Sequence, residues 1–510
     1  MSSADNIVRS SLLTTVATVA TMLASFLSQV VIAKLFGAAA ELDAYLTAGA
    51  LPLALTGVLM AAVGYVTIPI LTECRDDPAG LERMTGHFLA LVLGLAALIA
   101  LGGSLFARPL VHWTAPHLRP DKLALAEHLQ PYFWGATAIL LVTSFLTSLR
   151  HFRRQFVLPS LSGALVFLAL MGAGLGLATR LGVRSLALGY LAGAALQCIV
   201  LLPVLRQGCR AGAAGLRSAW QRFSAAALPV MGSLLPFTLW PVIDAYWASR
   251  LPDGSLSTLG YASRIVIALA QITVQGLGIV LFPFLADDAM TGQLEQVRRR
   301  LRNALKFILV VQVPILALLT VLRVPVLSLL LERGHFDRRA TLALAAVLPW
   351  YLVGMVGMAA MNIIVRGFYA VSRPRTLALL GLACLGVYAA VAGALSSVFS
   401  YVGIGIAYAV YWTLLSVLAA ALLGKHVGGL WRAEDLRFAA KLGVIAAAAG
   451  VIVYGLEQFL PVPPGALGRL IGLGLVGSVS CAALGCALFD AQEIRLITSV
   501  VRPGLRGAAE

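Results

Sequence analysis

Fourteen long apolar runs, each closed by charged or turn residues, leave this chain few ways to fold. They fall at about 11–35, 43–72, 84–107, 131–150, 156–178, 184–205, 224–248, 258–286, 302–324, 341–369, 375–398, 402–424, 437–460 and 465–488. A helix needs roughly 20 apolar residues to cross about 30 Å of hydrocarbon, and each run has that length. In lipid, backbone N–H and C=O groups are satisfied only within a helix or a closed barrel. The alternating ten-residue segments of a membrane barrel are absent. The expected fold is therefore an all-α polytopic membrane protein of about fourteen transmembrane helices. Only 12% of the residues are charged, against about 25% in soluble domains, so lipid must be the main solvent. Roughly 280 residues lie in spans, which leaves short loops and no large soluble domain.

The net charge of +16 lies between the apolar runs, the pattern of a chain holding its positive loops on the cytoplasmic side. No basic patch is interleaved with aromatic residues, so nucleic acid is not an expected partner. A cytoplasmic N-terminus puts the basic stretches Arg150–Arg154, Arg206–Arg222, Arg298–Lys306, Arg366–Arg375 and Lys425–Lys441 inside. An even number of spans returns the C-terminus, with Arg495, Arg502 and Arg506, to the same side. The expected location is the bacterial inner membrane, multi-pass, with both termini cytoplasmic. Arg298, Arg299, Arg300 and Arg302 are expected to rest on anionic membrane lipids. The six cysteines, Cys74, Cys198, Cys209, Cys384, Cys481 and Cys486, form no C-x-x-C pair and read as small apolar residues. The N-terminal run lacks a clean cleavage site and reads as a retained first helix. Pro52, Pro69, Pro236, Pro241 and Pro283 are expected kink positions.

The sequence repeats. Ile68-Pro69-Ile70-Leu71 ends the second run, and Phe282-Pro283-Phe284-Leu285 ends the eighth, 214 positions later. Arg150-His151-Phe152 and Arg366-Gly367-Phe368 close the fourth and tenth, 216 apart. Arg108-Pro109-Leu110 and Val324-Pro325-Val326 share that offset, and Pro131-Tyr132 and Pro349-Trp350 lie within two residues of it. Four matches in the same order at nearly one offset mark a duplication. Six helices per copy give both copies the same orientation, with a pseudo-symmetry axis along the membrane normal. The expected division is an N-lobe over 1–222, a C-lobe over 223–430, and two further helices with a tail over 431–510. Two such lobes suit alternating access around a cavity.

Charges within spans need a reason, because burial at the bilayer centre costs about 2.5–3.5 kcal/mol or more. Asp244 lies deep in the seventh run and suits either a wet cavity or the outer interface. Arg264, in Gly260-Tyr261-Ala262-Ser263-Arg264, could hold a pyrophosphate through a bidentate charge-assisted pair or snorkel to the headgroups. Asp43 opens the second run, where a carboxylate also suits the helix dipole. Lys34 reads as a snorkelling lysine. Arg150 and Arg366 occupy equivalent cytoplasmic ends, where they could meet an incoming anionic headgroup or anchor the helices. No Gly-rich phosphate loop and no H-E-x-x-H pair occurs. The chain is thus expected to be a transporter rather than an enzyme, with no cofactor and no bound metal. Energy would come from an Na+ or H+ gradient, the membrane potential, or downstream consumption of the product.

Phe36-Gly37-Ala38 followed by Asp43-Ala44-Tyr45 resembles the F-G-A…D-A-F signature of the MviN/MurJ lipid II flippases, a family of the multidrug/oligosaccharidyl-lipid/polysaccharide exporter superfamily. Gly254-Ser255-Leu256-Ser257 with Tyr261-Ala262-Ser263-Arg264 is similar to its G-S-I-S…Y-A-D-R, and Phe282-Pro283-Phe284-Leu285 to its L-P-x-L. Glu332-Arg333-Gly334-His335-Phe336 looks like E-R-G-x-F, and Arg366-Gly367-Phe368-Tyr369-Ala370 looks like its F-Y-A segment. The ordered set spans about 10–425. The resemblance implies a two-lobed flippase that moves an undecaprenyl-pyrophosphate-linked saccharide outward, with cavity arginines holding the pyrophosphate. It places Arg264 on such a position and Asp43 on an acidic one. The family's first-helix arginines align with Met22 and Ser28 here, and its R-R-x-F-x-E-G stretch with Thr56, Gly57 and Ala61.

The leading expectation is a flippase for a polyprenyl-linked glycan, either lipid II of peptidoglycan biosynthesis or an exopolysaccharide or O-antigen unit. Glycan-assembly enzymes are its expected protein partners. Two alternatives stand beside it. One is a drug or small-cation antiporter of the same superfamily, using Asp244. The other is a non-transporting scaffold in glycan assembly.

Overall fold

The computed structural model describes residues 3–74, 76–207, 215–459 and 467–490. Arg495, Arg502, Arg506 and Cys209 lie outside them. Among the described residues every regular element is helical. By contacts the chain separates into two compact units, Met1–Thr258 with Arg333–Asp337, and Leu259–Glu332 with Arg338–Glu510. This division by packing falls at Thr258, whereas the sequence duplication was divided at 222. Contact and duplication are separate criteria.

The first unit contains α1 (Ser3–Phe36), α2 (Ala40–Glu73), α3 (Pro78–Leu105), α4 (Ala107–Thr114), α5 (Pro120–Phe152), α6 (Val157–Ser162), α7 (Ala164–Leu181), α8 (Arg184–Leu201), α9 (Leu216–Thr238) and α10 (Trp240–Ala248). Its centre is the pair α2 and α5, with α3, α8 and α9 packed around them. Val63, Val66, Leu141, Phe145 and Leu149 meet there, fully buried. Helices that look outward stay apolar. Leu98 and Leu101 of α3 are 67% and 65% exposed, which suits lipid and would not suit water.

α11 (Ser255–Met290) begins in the first unit and continues in the second, which holds α12 (Leu294–Val321), α13 (Arg323–Leu331), α14 (Arg338–Ala370), α15 (Pro374–Phe399), α16 (Tyr401–Val427), α17 (Ala433–Phe459) and α18 (Leu467–Leu488). Its centre is α14 against α16. A Cβ on Gly357 would come within 2.5 Å of the Trp412 carbonyl oxygen, so the absence of a side chain sets how closely the two helices approach. Tyr351 and Tyr408 stack there with ring centroids 4.3 Å apart. α17 packs on α12 and α18. Asp435, at the start of α17, lies 2.7 Å from Lys306 of α12.

Thirteen helices among the described residues have the length and apolarity to cross a membrane. α11, at 36 residues, encloses the apolar run 258–286. The duplication recurs in the helices. α3 and α12 begin at Pro78 and Leu294, 216 positions apart, and the short α4 and α13 begin at Ala107 and Arg323, again 216 apart. The prolines divide in effect. Pro52 and Pro69 sit inside an unbroken α2. Pro236 and Pro241 flank a break at Leu239 that separates α9 from α10. A proline supplies no N–H to the carbonyl four residues back, and two of them five residues apart remove two rungs.

Candidate functional site

Three of the stretches singled out in the sequence fold onto one spot in the first unit. The Phe36-Gly37-Ala38 turn lies between Gly254 and Gly334-His335. Gly254 adopts φ +88°, and a Cβ there would meet the Ala38 carbonyl oxygen at 2.5 Å. Gly334 adopts φ +61°, and the His335 N–H donates to the Lys34 carbonyl at 3.0 Å. Only glycine takes these conformations at so close a backbone approach.

Asp43 lies in the first turn of α2 beside this turn and is 4% exposed. Its carboxylate accepts the backbone N–H of Gly254 and that of Ser257, each at 2.7 Å. These N–H groups belong to the start of α11, where a helix has no carbonyl partners of its own. Asp43 therefore caps a helix 211 residues away in sequence, and its negative charge sits at the positive end of that helix's dipole.

Lys122, from the first turn of α5, reaches the same place. Its ammonium is 2.6 Å from Asp253 and 3.8 Å from Asp43, and the residue is only 6% exposed. Arg119 bonds Asp253 at 3.3 Å and Asp121 at 3.2 Å. A small recess is lined by Asp43, Thr47, Arg119, Lys122, Ser249 and Asp253. The buried Lys122 ammonium faces two carboxylates, which is the condition for keeping its charge out of water. The sequence reading found Asp43 and missed Lys122, Arg119 and Asp253. Lys122 follows Pro120-Asp121 at a helix start, which reads as a solvated first turn; its burial comes from Asp253, 131 positions away.

The second unit holds a different cavity, of about 150 Å³. It is lined by Ile267, Ala270, Gln271 and Val274 of α11 and by Met358, Asn362 and Arg366 of α14. Arg264 lies seven residues before Gln271, on the same face of α11. It is half-buried and makes no hydrogen bond or ion pair with the described residues. The structure thus puts Arg264 and Arg366 on the two helices that form one cavity.

Arg150 is placed otherwise. It is 9% exposed, and its guanidinium donates to Gln155 Oε1 at 2.8 Å and to the Leu201 carbonyl at 3.4 Å, joining the end of α5 to the end of α8. Asp244 is buried in α10, which packs on α2 and α4, and it interacts with neighbouring groups. At the positions where the resemblance places charge, Thr56 bonds Thr137 at 2.7 Å and the Pro52 carbonyl at 2.8 Å. Ser28 donates to the Ser25 carbonyl at 2.6 Å. The Thr56 bond joins α2 to α5, and the Ser28 bond stays within α1. Of the basic stretch in α12, Arg298 donates to the Gly428 carbonyl, Arg300 pairs with Asp288 and Arg302 approaches Asp435. Arg299 is exposed.

A model of the lipid II flippase MurJ family matches residues 32–467. A probable lipid II flippase MurJ from Bdellovibrio bacteriovorus is 26% identical over 408 residues, which cover 77% of this chain and 76% of that protein. The lipid II flippase MurJ of Burkholderia cenocepacia is 24% identical over 67% of this chain and 69% of its own length. Among solved structures, lipid II flippase MurJ in an inward closed conformation superposes with a TM-score of 0.79 at 17% identity, covering 96% of this chain and all of that one. An inward-facing multidrug resistance transporter of the MATE family superposes at 0.69 with 13% identity, over 80% of this chain and 94% of its own.

Proposed function

We propose that this chain, which belongs to the lipid II flippase MurJ family, carries a polyprenyl-pyrophosphate-linked saccharide outward across the bacterial inner membrane. The observation that carries the reading is the family match over residues 32–467. The fold alone does not choose, because multidrug transporters share it.

The chemistry on the page supports the family reading. A pyrophosphate needs cationic donors held away from bulk water, and a guanidinium meets phosphate oxygens with two parallel N–H groups. Arg366, on the wall of the second unit's cavity, and Arg264, two turns along α11 from its Gln271, are the residues assigned to it. The saccharide is a lipid II headgroup or a related exopolysaccharide or O-antigen unit. The protein opens alternately to the two sides, driven by an ion gradient, the membrane potential or removal of the product. Both termini lie in the cytoplasm, where the exposed Arg299 meets anionic lipid. The chain transports and catalyses no covalent step.

The test is complementation. Expression of this chain in cells depleted of their own lipid II flippase should restore growth. Failure there, with loss of a surface polysaccharide when the native gene is deleted, would assign the other glycan class. Neither effect, together with drug efflux that Asp244→Asn abolishes, would overturn the reading in favour of an antiporter.

A further inference from the structure

Gln271 and Asn362 are exposed polar side chains on helices that cross a membrane. A polar group there faces protein or a wet cavity, because hydrocarbon offers its N–H and C=O groups no partner. The cavity between α11 and α14 is where both side chains lie. Gln271 makes no hydrogen bond with the described residues. Asn362 donates from Nδ2 to the Met358 carbonyl at 3.1 Å, one turn back in its own helix. That leaves its carbonyl oxygen and second N–H open to a ligand.

The rest of the lining tells what that ligand is. Ile267, Ala270, Val274 and Met358 supply an apolar wall, and Arg366 supplies one cation. Among the described residues no carboxylate lines the cavity, so a cationic drug finds no counter-charge from them. A bare phosphate would use the guanidinium and leave two amides idle. A primary amide both donates and accepts, which is the requirement for a sugar's hydroxyl or acetamido group. The apolar wall suits the C–H face of a pyranose ring.

We infer that the cavity of the second unit is a carbohydrate subsite, in which Gln271 and Asn362 hydrogen-bond the sugar attached to the pyrophosphate while Arg366 takes the neighbouring phosphate. The assignment rests on the flippase reading above. The spacing fits a linked headgroup. Asn362 and Arg366 are one turn apart on α14, and Arg264 lies ~10 Å up α11 from Gln271. One headgroup thus meets cations on either side of an uncharged pair of amides. The amides would then decide which glycan is carried, and the arginines would hold what all such lipids share.

The experiment compares two probes on the purified full-length protein in detergent. One is undecaprenyl pyrophosphate. The other is the same lipid bearing a single N-acetylhexosamine. Binding is measured by native mass spectrometry. The wild type should hold the sugar-bearing lipid about tenfold more tightly, the size of effect that a pair of hydrogen bonds gives. Gln271→Leu with Asn362→Leu should erase that preference and leave affinity for the bare lipid within twofold. Gln271→Met alone should lose part of it. Both side chains are exposed, so the replacements leave no hole in the core, and an unchanged melting temperature verifies this. An undiminished preference in the double variant would overturn the subsite and leave the flippase reading standing. Equal binding of the two probes by the wild type would do the same. If neither lipid binds, both inferences fall.

Discussion

Replacing Asp43 with asparagine should loosen the start of α11 by an amount the geometry sets. The carboxylate holds two backbone N–H groups at 2.7 Å each. Asparagine keeps one acceptor oxygen and turns an NH2 group toward the other N–H, so one donor loses its partner. A hydrogen bond to a charged group contributes about 1.5–3 kcal/mol, and a neutral acceptor only about 0.5–1.5. Loss of the negative charge at the helix start removes a further ~0.3–1 kcal/mol. Lys122 keeps Asp253 at 2.6 Å, so its own burial adds little. The sum is about 3–5 kcal/mol. At 1.4 kcal/mol per factor of ten, amide exchange over 254–257 should accelerate roughly 140- to 3,700-fold. Peptide-resolved hydrogen–deuterium exchange reads this directly. Asp253→Asn is the control: its carboxylate is 42% exposed and meets only side chains of Lys122 and Arg119, so exchange there should change less than threefold. Equal acceleration in the two variants, or none in Asp43→Asn, would show that the carboxylate does not cap α11.

Arg264→Ala should lower transport at least tenfold without lowering the amount of protein in the membrane, with Arg264→Lys intermediate, because the ammonium keeps the charge and loses the two-pronged geometry; complementation with immunoblotting measures both. Asp435 is 2% exposed and paired with Lys306 at 2.7 Å. Asp435→Asn leaves a buried ammonium short of its counter-charge and should cost about 3–5 kcal/mol, read as a lower melting temperature in detergent. Glu332 lies outside the spans. Burial raises its pKa, but hydrogen bonds from Ser328, Thr341 and Arg338, with the charge of Arg338, outweigh that and hold it below its ordinary 4.5. A depressed folded pKa stabilises the fold above the unfolded value and loses that contribution as pH falls through the folded one. Acid melting below pH 4.5 should therefore be shallower in Glu332→Gln.

The helices were legible because lipid imposes one solution on an apolar run of sufficient length. What the runs did not show was how far each helix continues past the apolar stretch. α5 begins at Pro120, eleven residues before its run at 131, since Asp121, Lys122 and Glu127 look like a solvated loop until their partners are in place. The short α4 begins where the third apolar run ends, at 107. Its eight residues are too few for a periodicity to stand out. Asp43 was found because its residue type was unexpected beside an apolar run, but its long-range role as the cap of α11 could not be read from position. Gln271 and Asn362 carried the same signal, a polar residue in a span, and were passed over because they bear no charge. Arg150 gave the reverse case: its charge suggested a ligand, and burial against Gln155 and Leu201 gives it the chain itself as partner.

Most of the motifs that carry the family resemblance build a joint in the first unit, and of their residues only Arg264 and Arg366 are assigned above to the substrate. Phe36-Gly37-Ala38, Gly254-Ser255-Leu256-Ser257 and Gly334-His335 carry the resemblance because a Cβ on Gly37, Gly254 or Gly334 would come within 3 Å of a backbone oxygen, and the helix cap that Asp43 supplies tolerates little change of residue. A site for a glycan headgroup is built from single donors spaced around a cavity, and each can be exchanged without disturbing the helix that bears it. Thr56 illustrates the freedom: where the resemblance places an arginine, a hydroxyl joins α2 to α5 and the helix continues unbroken. A chain can thus keep the joint, and with it the family, while its cavity moves from charge toward hydroxyls and amides. On the proposed reading, such a cavity would grip the shared pyrophosphate with fewer cations and lean more on the sugar. Glycan choice by this protein should accordingly depend on its amides to a degree that a relative with a full set of arginines would not need.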